Sequence, residues 1–309
     1  WLILVVASVA TVVSTALVTW WLAGPAIRRA GWTPWFAGGV AVALALCFEP
    51  VRETFSFGQV NTLLLALVAA DLLFGVARGR RWAGVAIGLA TAIKLTPGVF
   101  ILYLLVTRRW RAAWTAMATA AGVTLVTAAI FPDESREFWT AALWDTSRVG
   151  DPGYLSNQSL RGFIARLQID SLENYLWIIG VVLVLAVWFR RVRASAGDQY
   201  AGLALTGVLG CLISPVTWVH HCVWLLPALV RCVEAGLSGA GRRYLYLGGA
   251  AYLVMTSRLT WLWENATRLP LAVIGANLYV YFSLAFLLWT PAPADDHEPV
   301  ISPAAPARQ

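Results

Sequence analysis

From Trp1 the chain runs to its first charged side chain, Arg28, through a stretch dominated by Leu, Val, Ala and Trp. A helix crosses the hydrocarbon core of a bilayer with about 20 apolar residues, and an apolar run of about 24, here 1–24, is too long for the core of a cleavable signal. Comparable runs recur near 33–48, 59–77, 112–131, 176–189, 199–216, 222–234, 244–257 and 271–290. Only 13% of the residues are charged and the mean hydropathy is +0.69, whereas a soluble domain carries about 25% charged residues. These features imply an all-α polytopic membrane protein solvated mainly by lipid. They exclude a soluble enzyme, a nucleic-acid-binding protein and a single-span receptor. In such a chain the net charge of +7 reads as a topology signal rather than as a site for a polyanion.

Residues 82–107 need two short helices rather than one span. Arg78, Arg80 and Arg81 precede this stretch and Arg108, Arg109 and Arg111 follow it, so both ends belong on the cytoplasmic side. Pro97 breaks the helical ladder and disfavours helix at Thr96, which puts the turn of a helical hairpin around Lys94-Leu95-Thr96-Pro97. With that hairpin the expectation is about eleven membrane segments in a single domain over 1–290. The basic side then holds Arg28, Arg29, Arg78, Arg80, Arg81, Arg108, Arg109, Arg111, Arg190, Arg191, Arg193, Arg231, Arg242 and Arg243. Opposite them stand only Arg52, Arg136, Arg148, Arg161, Arg166, Arg258 and Arg268, mixed with most of the acids. The bias orients the chain, with a larger extracytoplasmic loop at 132–175, and 22 arginines against a single lysine, with abundant Ala, Val and Leu, point to a bacterial plasma membrane. The tail 291–309, with five prolines and Asp295-Asp296-His297-Glu298, reads as a disordered cytoplasmic extension. Cys47, Cys211, Cys222 and Cys232 show no metal-ligand spacing and read as small core or lipid-facing residues.

The polar residues that do not suit lipid fall on the extracytoplasmic side. Arg52 and Glu53 lead into Gln59 and Asn61 at the start of a span, where amides serve either as caps or as partners of a phosphate or sugar hydroxyl. Lys94, the single lysine, sits at the hairpin tip, and an ionisable group there is a functional candidate with snorkelling as the alternative. In the 132–175 loop, Phe138, Trp139, Leu143 and Trp144 suit an amphipathic helix on the membrane surface. Further along that loop, Asn157, Gln158, Ser159 and Arg161 have groups that bind sugar hydroxyls or build turns. Trp218, His220 and His221 close a span; adjacent histidines on a helix diverge by about 100° and lack a third ligand, so no metal site is expected. A second cluster at 258–268 joins Arg258, Glu264, Asn265 and Arg268 to Trp261 and Trp263. A secondary transporter with Lys94 as its substrate or proton site is the competing reading, but a conduction path needs polar residues through the bilayer depth.

Four runs carry a resemblance: Phe57-Gly58-Gln59-Val60-Asn61, Ile93-Lys94-Leu95-Thr96-Pro97, Asn157-Gln158-Ser159-Leu160, and Ser214-Pro215-Val216-Thr217-Trp218-Val219-His220-His221. In this order the chain resembles the bacterial alpha-(1,2)-mannosyltransferases, glycosyltransferase family 87 of the GT-C class, over residues 1 to about 290. The resemblance implies mannose transfer from a polyprenyl-phosphate donor to a glycolipid or lipoglycan acceptor, with no cofactor. It also implies that Arg52, Glu53, Gln59, Asn61, Lys94 and the His220-His221 pair line the substrate cavity. Lys94, Arg52 and one histidine would meet the phosphate, and Gln59, Asn61 and Asn157 the hydroxyls, with Glu53 as a fallback base. The family carries its catalytic aspartate in the first extracytoplasmic loop, after the first membrane helix. Because this chain opens at Trp1 on a span running outside to inside, the expectation is that this helix and loop lie upstream, making twelve segments in all.

Overall fold

Three helices are long and apolar enough to cross a bilayer: α1 (Leu2–Arg29), α7 (Trp110–Ile130) and α10 (Glu173–Ala194). A fourth crossing arises if α2 (Pro34–Cys47) and α3 (Glu49–Ser56), bent by 67° at Phe48, count as one span. The computed structural model describes residues 1–145, 150–169, 171–264 and 270–292, with the backbone alone at 270 and 271. Arg148, Asp170, Asn265, Arg268 and the tail from 293 lie outside the described residues. All regular structure among the described residues is helical. The lipid-facing sides of α1, α7 and α10 expose Val9, Val13, Leu125, Val126, Val182 and Leu183, a surface that water would not tolerate but lipid solvates.

The remaining helices are shorter: α4 (Asn61–Ala70) with a π-helical turn at Asp71–Val76, α5 (Val85–Ile93), α6 (Val99–Val106) and α8 (Pro132–Glu137). Then come α9 (Leu160–Arg166), α11 (Gln199–Ile213), α12 (Leu226–Leu237), α13 (Arg242–Thr256), α14 (Pro270–Ala276) and α15 (Leu278–Trp289). These lengths do not establish the eleven crossings expected from the sequence. The reason is local: apolar runs that read as continuous are interrupted by π turns, 3₁₀ turns and breaks, which hydropathy alone does not register. In the 132–175 loop, α8 passes into a π turn at Phe138–Ala142 that leaves Phe138, Trp139 and Trp144 exposed, as a surface-lying segment requires.

The hairpin at 82–107 forms with its tip where Pro97 places it. Helix α5 stops at Lys94, a 3₁₀ turn covers Thr96–Gly98, and α6 returns. Its two basic flanks meet, since Arg111 Nη2 donates to the carbonyls of Gly79 (3.0 Å) and Arg80 (2.7 Å). The outgoing helix is anchored by Asp71, a fully buried carboxylate that accepts from the N–H groups of Gly84 (2.8 and 3.0 Å) and Ile87 (3.0 Å). An anion at a helix N-terminus satisfies donors that have no partner within the helix. Gly84 itself has φ +102°, and a Cβ there would lie 2.1 Å from the Ala112 carbonyl oxygen. Gly84→Ala is therefore expected to destabilise the protein by about 3 kcal/mol or more. A thermal melt in detergent checks this; an unchanged Tm would mean that α5 and α7 part at little cost.

Helix α11 forms the centre. Nearly every residue from Gln199 to Leu212 is buried, the pattern of a helix enclosed on all sides. It packs against α6, α10, α12 and α15. Its N-terminus is capped by Asp198, which accepts from Tyr200 N and Ala201 N and pairs with Arg231 Nη2 at 2.8 Å. Its C-terminus delivers the Ser214–Trp218 segment and a 3₁₀ turn over Val219–Leu225. The hairpin tip, the start of α4 and this turn meet at one end of the bundle.

Candidate functional site

Lys94 leaves α5 in extended conformation (φ −152°, ψ 133°), so its side chain is not held in the helical register. Its Nζ lies 2.9 Å from Asn61 Oδ1 and 2.9 Å from His221 Nε2. Asn61 is nearly fully buried, and its Nδ2 donates to the His220 carbonyl at 3.2 Å. Thr54 Oγ1 donates to the same carbonyl at 3.0 Å. The His220 and His221 rings stand edge to face at 4.4 Å, and Phe57 packs on His220 at 5.4 Å. An ammonium has three N–H groups; two point at Asn61 and His221, and no carboxylate pairs with Lys94 among the described ion pairs. A half-buried cation with neutral partners and a spare donor has the charge and the hydrogen-bonding capacity to accept an anion.

His221 is approached by two donors. Lys94 faces Nε2, and Trp218 N–H points at Nδ1 from 3.3 Å. A neutral imidazole has one lone pair in its plane to give, so both contacts cannot be hydrogen bonds while Lys94 is charged. The shorter one, to Lys94, puts the proton on Nδ1.

The Asn157-Gln158-Ser159 run meets this site through the backbone rather than through displayed side chains. All three residues are fully buried. Asn157 Nδ2 donates to Pro152 O (2.9 Å) and Pro215 O (3.2 Å), while its Oδ1 accepts from Thr217 N (2.9 Å). Gln158 N donates to Thr217 O at 2.7 Å, and its Nε2 to Leu155 O and Ala276 O. Ser159 Oγ caps α9 by accepting from Gly162 N at 3.1 Å. The expectation that these side chains bind hydroxyls thus meets a different arrangement: they lace the loop to the segment that carries Trp218, His220 and His221. Arg161 is engaged by α10, 3.6 Å from Glu173 Oε1 and stacked on Trp177. Trp218 is half-buried and packs edge-on against Tyr154 at 5.9 Å. The Tyr154 phenol donates to Glu264 Oε1 at 3.4 Å and is held above its ordinary pKa, first by burial and then by that carboxylate.

Arg166 was not among the expected site residues, yet it organises the loop. It is buried, and its guanidinium donates to Asn277 Oδ1, Tyr154 O (3.0 Å) and Asn157 O (2.9 Å). Nothing in its sequence context separates it from a surface arginine; only the partner 111 positions away does. Gln59 is half-buried beside the site, two residues before Asn61. Arg52 is exposed and donates to Thr256 O at 3.0 Å.

Glu53, expected as a fallback base, is 3.0 Å from Arg258 Nη1. The same guanidinium reaches Glu49 Oε1 through Nε at 3.2 Å. Glu49 is fully buried and also accepts from Trp261 Nε1 (2.6 Å) and Tyr279 OH (2.5 Å). This carboxylate pins the α2–α3 bend to the turn at Leu259–Trp263 and to α15. Among the described residues no group of three His, Cys, Asp or Glu could hold a metal ion.

The model of glycosyltransferase family 87 matches residues 1–215. A polyprenol-phosphate-mannose-dependent alpha-(1-2)-phosphatidylinositol mannoside mannosyltransferase of Mycobacterium tuberculosis is 36% identical over 278 residues, 87% of this chain and 62% of that protein. The corresponding pentamannoside mannosyltransferase of Mycolicibacterium smegmatis is 35% identical over 261 residues, 80% of this chain and 62% of that protein. More distantly, an alpha-(1->3)-arabinofuranosyltransferase of Corynebacterium glutamicum is 26% identical over 238 residues, 74% of this chain and 53% of that protein. The chain thus spans about three fifths of the length of these curated relatives. No solved structure matches it. With the family model covering more than half of its residues, three of the four motif runs inside that match and the fourth beginning at its end, the chain belongs to glycosyltransferase family 87.

Proposed function

We propose that this chain carries the phosphate-binding part of a membrane mannosyltransferase that moves mannose from a polyprenyl-phosphate donor to a glycolipid acceptor on the extracytoplasmic face. The observation that carries the reading is convergence. Three motif runs, up to 159 positions apart, meet at Lys94, Asn61 and His221, and the fourth is tied in by the Asn157 bond to Thr217. The named relatives, which use polyprenol-phosphate-mannose, support the same donor. In this reading the apolar runs make about eleven membrane segments of a GT-C bundle, and the loop with α8 and α9 covers the site.

In the reaction the bond from mannose C1 to the donor phosphate oxygen breaks and a bond from C1 to the acceptor oxygen forms. The acceptor proton passes to a carboxylate base, and the bond electrons leave with the phosphate. Charge grows on that phosphate oxygen as the sugar becomes oxocarbenium-like, so a preorganised cation there lowers the barrier. Lys94 supplies it, held by Asn61 and His221. The Arg258 ion pair occupies Glu53, which argues against Glu53 as the base. In this reading Gln59 and Trp218, from the same motif runs, contact the sugar.

The test is donor choice, using the protein expressed from its complete reading frame in membranes. Polyprenyl-phosphate-mannose with a phosphatidylinositol mannoside acceptor is expected to yield an alpha-(1,2)-linked product. Nucleotide-linked mannose is expected to yield none once donor synthesis is blocked. Equal transfer from the nucleotide sugar would sink the reading.

A further inference from the structure

A charged cavity lies at the end of the bundle opposite the Lys94 cluster. The C-terminus of α10, the start of α13 and the C-terminus of α15 gather around a space of about 950 Å³. Four arginines line it, Arg190, Arg191, Arg193 and Arg243, and none of its lining residues is acidic. Arg191 braces the wall by donating to the carbonyls of Leu287 (3.1 Å), Leu288 and Thr290 at the end of α15. Arg243 lies over Tyr244 at 4.7 Å and bonds its hydroxyl at 2.8 Å, while Arg193 lies 6.0 Å from the Phe189 ring. Stacking orients a guanidinium without neutralising it. The rest of the wall is apolar and continues along the helices through Val187, Phe189, Leu288 and Trp289, the last two exposed to the surroundings.

Charge and shape together select a ligand class. Snorkelling arginines need only headgroup water, but here several converge on one concavity with an apolar wall running toward the hydrocarbon. A free phosphate would use the cations and leave that wall bare. We propose that this cavity binds the headgroup of an anionic phospholipid from the leaflet on the arginine-rich side, its phosphate between Arg190, Arg193 and Arg243 and an acyl chain along Val187 and Leu288. The site is separate from the Lys94 centre. Helix α11 runs between the two ends, and its 15 residues span about 22 Å. The proposal therefore stands or falls independently of mannosyl transfer.

The test uses purified protein in neutral detergent, with thermal unfolding and native mass spectrometry as readouts. The probes are phosphatidylglycerol, phosphatidylcholine and inorganic phosphate. Phosphatidylglycerol is expected to remain bound and to raise the Tm, and the other two to do neither. R190Q/R193Q/R243Q is expected to weaken phosphatidylglycerol binding at least tenfold while keeping the lipid-free Tm, because all three side chains are exposed. The control R78Q/R80Q/R81Q removes the same charge elsewhere on the basic side and is expected to keep the lipid effect. Four results would overturn the proposal: equal effects of the two lipids, full reproduction by inorganic phosphate, equal loss in both triple variants, or lipid discrimination only in D295N/D296N/E298Q. The last would make the acidic tail just beyond Ala292 the occupant.

Discussion

Replacing Lys94 with methionine is expected to lower kcat/KM for mannosyl transfer from a polyprenyl-phosphate donor about 100- to 1,000-fold, equivalent to about 2.7–4 kcal/mol of transition-state stabilisation. Methionine keeps the length and most of the volume of the side chain while removing the ammonium. The loss is expected mainly in kcat, because negative charge on the leaving phosphate oxygen increases between the bound donor and the transition state. Lys94→Arg is not a rescue. The guanidinium is planar and forked, and it does not fit a point-charge position shared 2.9 Å from both Asn61 Oδ1 and His221 Nε2. His221→Gln is expected to be milder, since it leaves the cation in place and disturbs only its orientation. Steady-state kinetics on membranes, with expression matched by immunoblot, make the measurement. Wild-type kcat in Lys94→Met would remove Lys94 from the mechanism and with it the central electrostatic element of the proposed site. Methionine also leaves Asn61 Oδ1, on a nearly fully buried side chain, without its Lys94 donor, a cost of about 1–3 kcal/mol that a Tm measurement on the variant records separately from kcat.

Glu49→Ala is expected to have the largest effect on stability, about 3–5 kcal/mol. The carboxylate serves three donors at once, Arg258 Nε, Trp261 Nε1 and Tyr279 OH, and is fully buried. Removing it strips Arg258 Nε and Trp261 Nε1 of this acceptor and leaves Tyr279 OH only the Met255 carbonyl at 3.4 Å. The cost then includes both the lost bonds and the unmet groups left behind. Glu49→Gln keeps an acceptor for Trp261 and Tyr279 but loses the ion pair, and is expected to cost about 1–3 kcal/mol. Tm measurements on both variants separate bracing from chemistry. If Glu49→Gln kept the wild-type Tm and yet lost transfer activity, Glu49 would belong to the reaction rather than to the scaffold.

Much of the architecture is legible in the residues because lipid is a demanding solvent. With 13% charged residues, a chain can satisfy its backbone in hydrocarbon as helices, and the positions of Arg78–Arg81 and Arg108–Arg111 force the turn at Lys94. The hairpin is accordingly found with its flanks joined through Arg111. The resemblance carried by the four runs agrees with the family match. Segment count was less legible. A π turn at Asp71–Val76 and a 67° bend at Phe48 cut apolar runs into pieces whose hydropathy looks continuous.

The polar residues divide in the same way. That Lys94 must be functional or costly follows from its charge and its place in an apolar hairpin, with no knowledge of its neighbours. What holds it does not follow. Asn61 and Asn157 are alike as amides near helix starts, yet one presents its oxygen to Lys94 and the other gives its bonding capacity to Pro152, Pro215 and Thr217. Arg166 and Arg258 read alike as outer arginines, but the first holds carbonyls in a buried loop and the second bridges Glu49 and Glu53. The sequence by itself determined the helical class, the basic side and the costly lysine, because these depend on what each residue is and on its immediate chain neighbours. Only the tertiary structure decided which polar groups brace and which remain free to meet a ligand, because a hydrogen bond is directional and its partner lies up to 230 positions away.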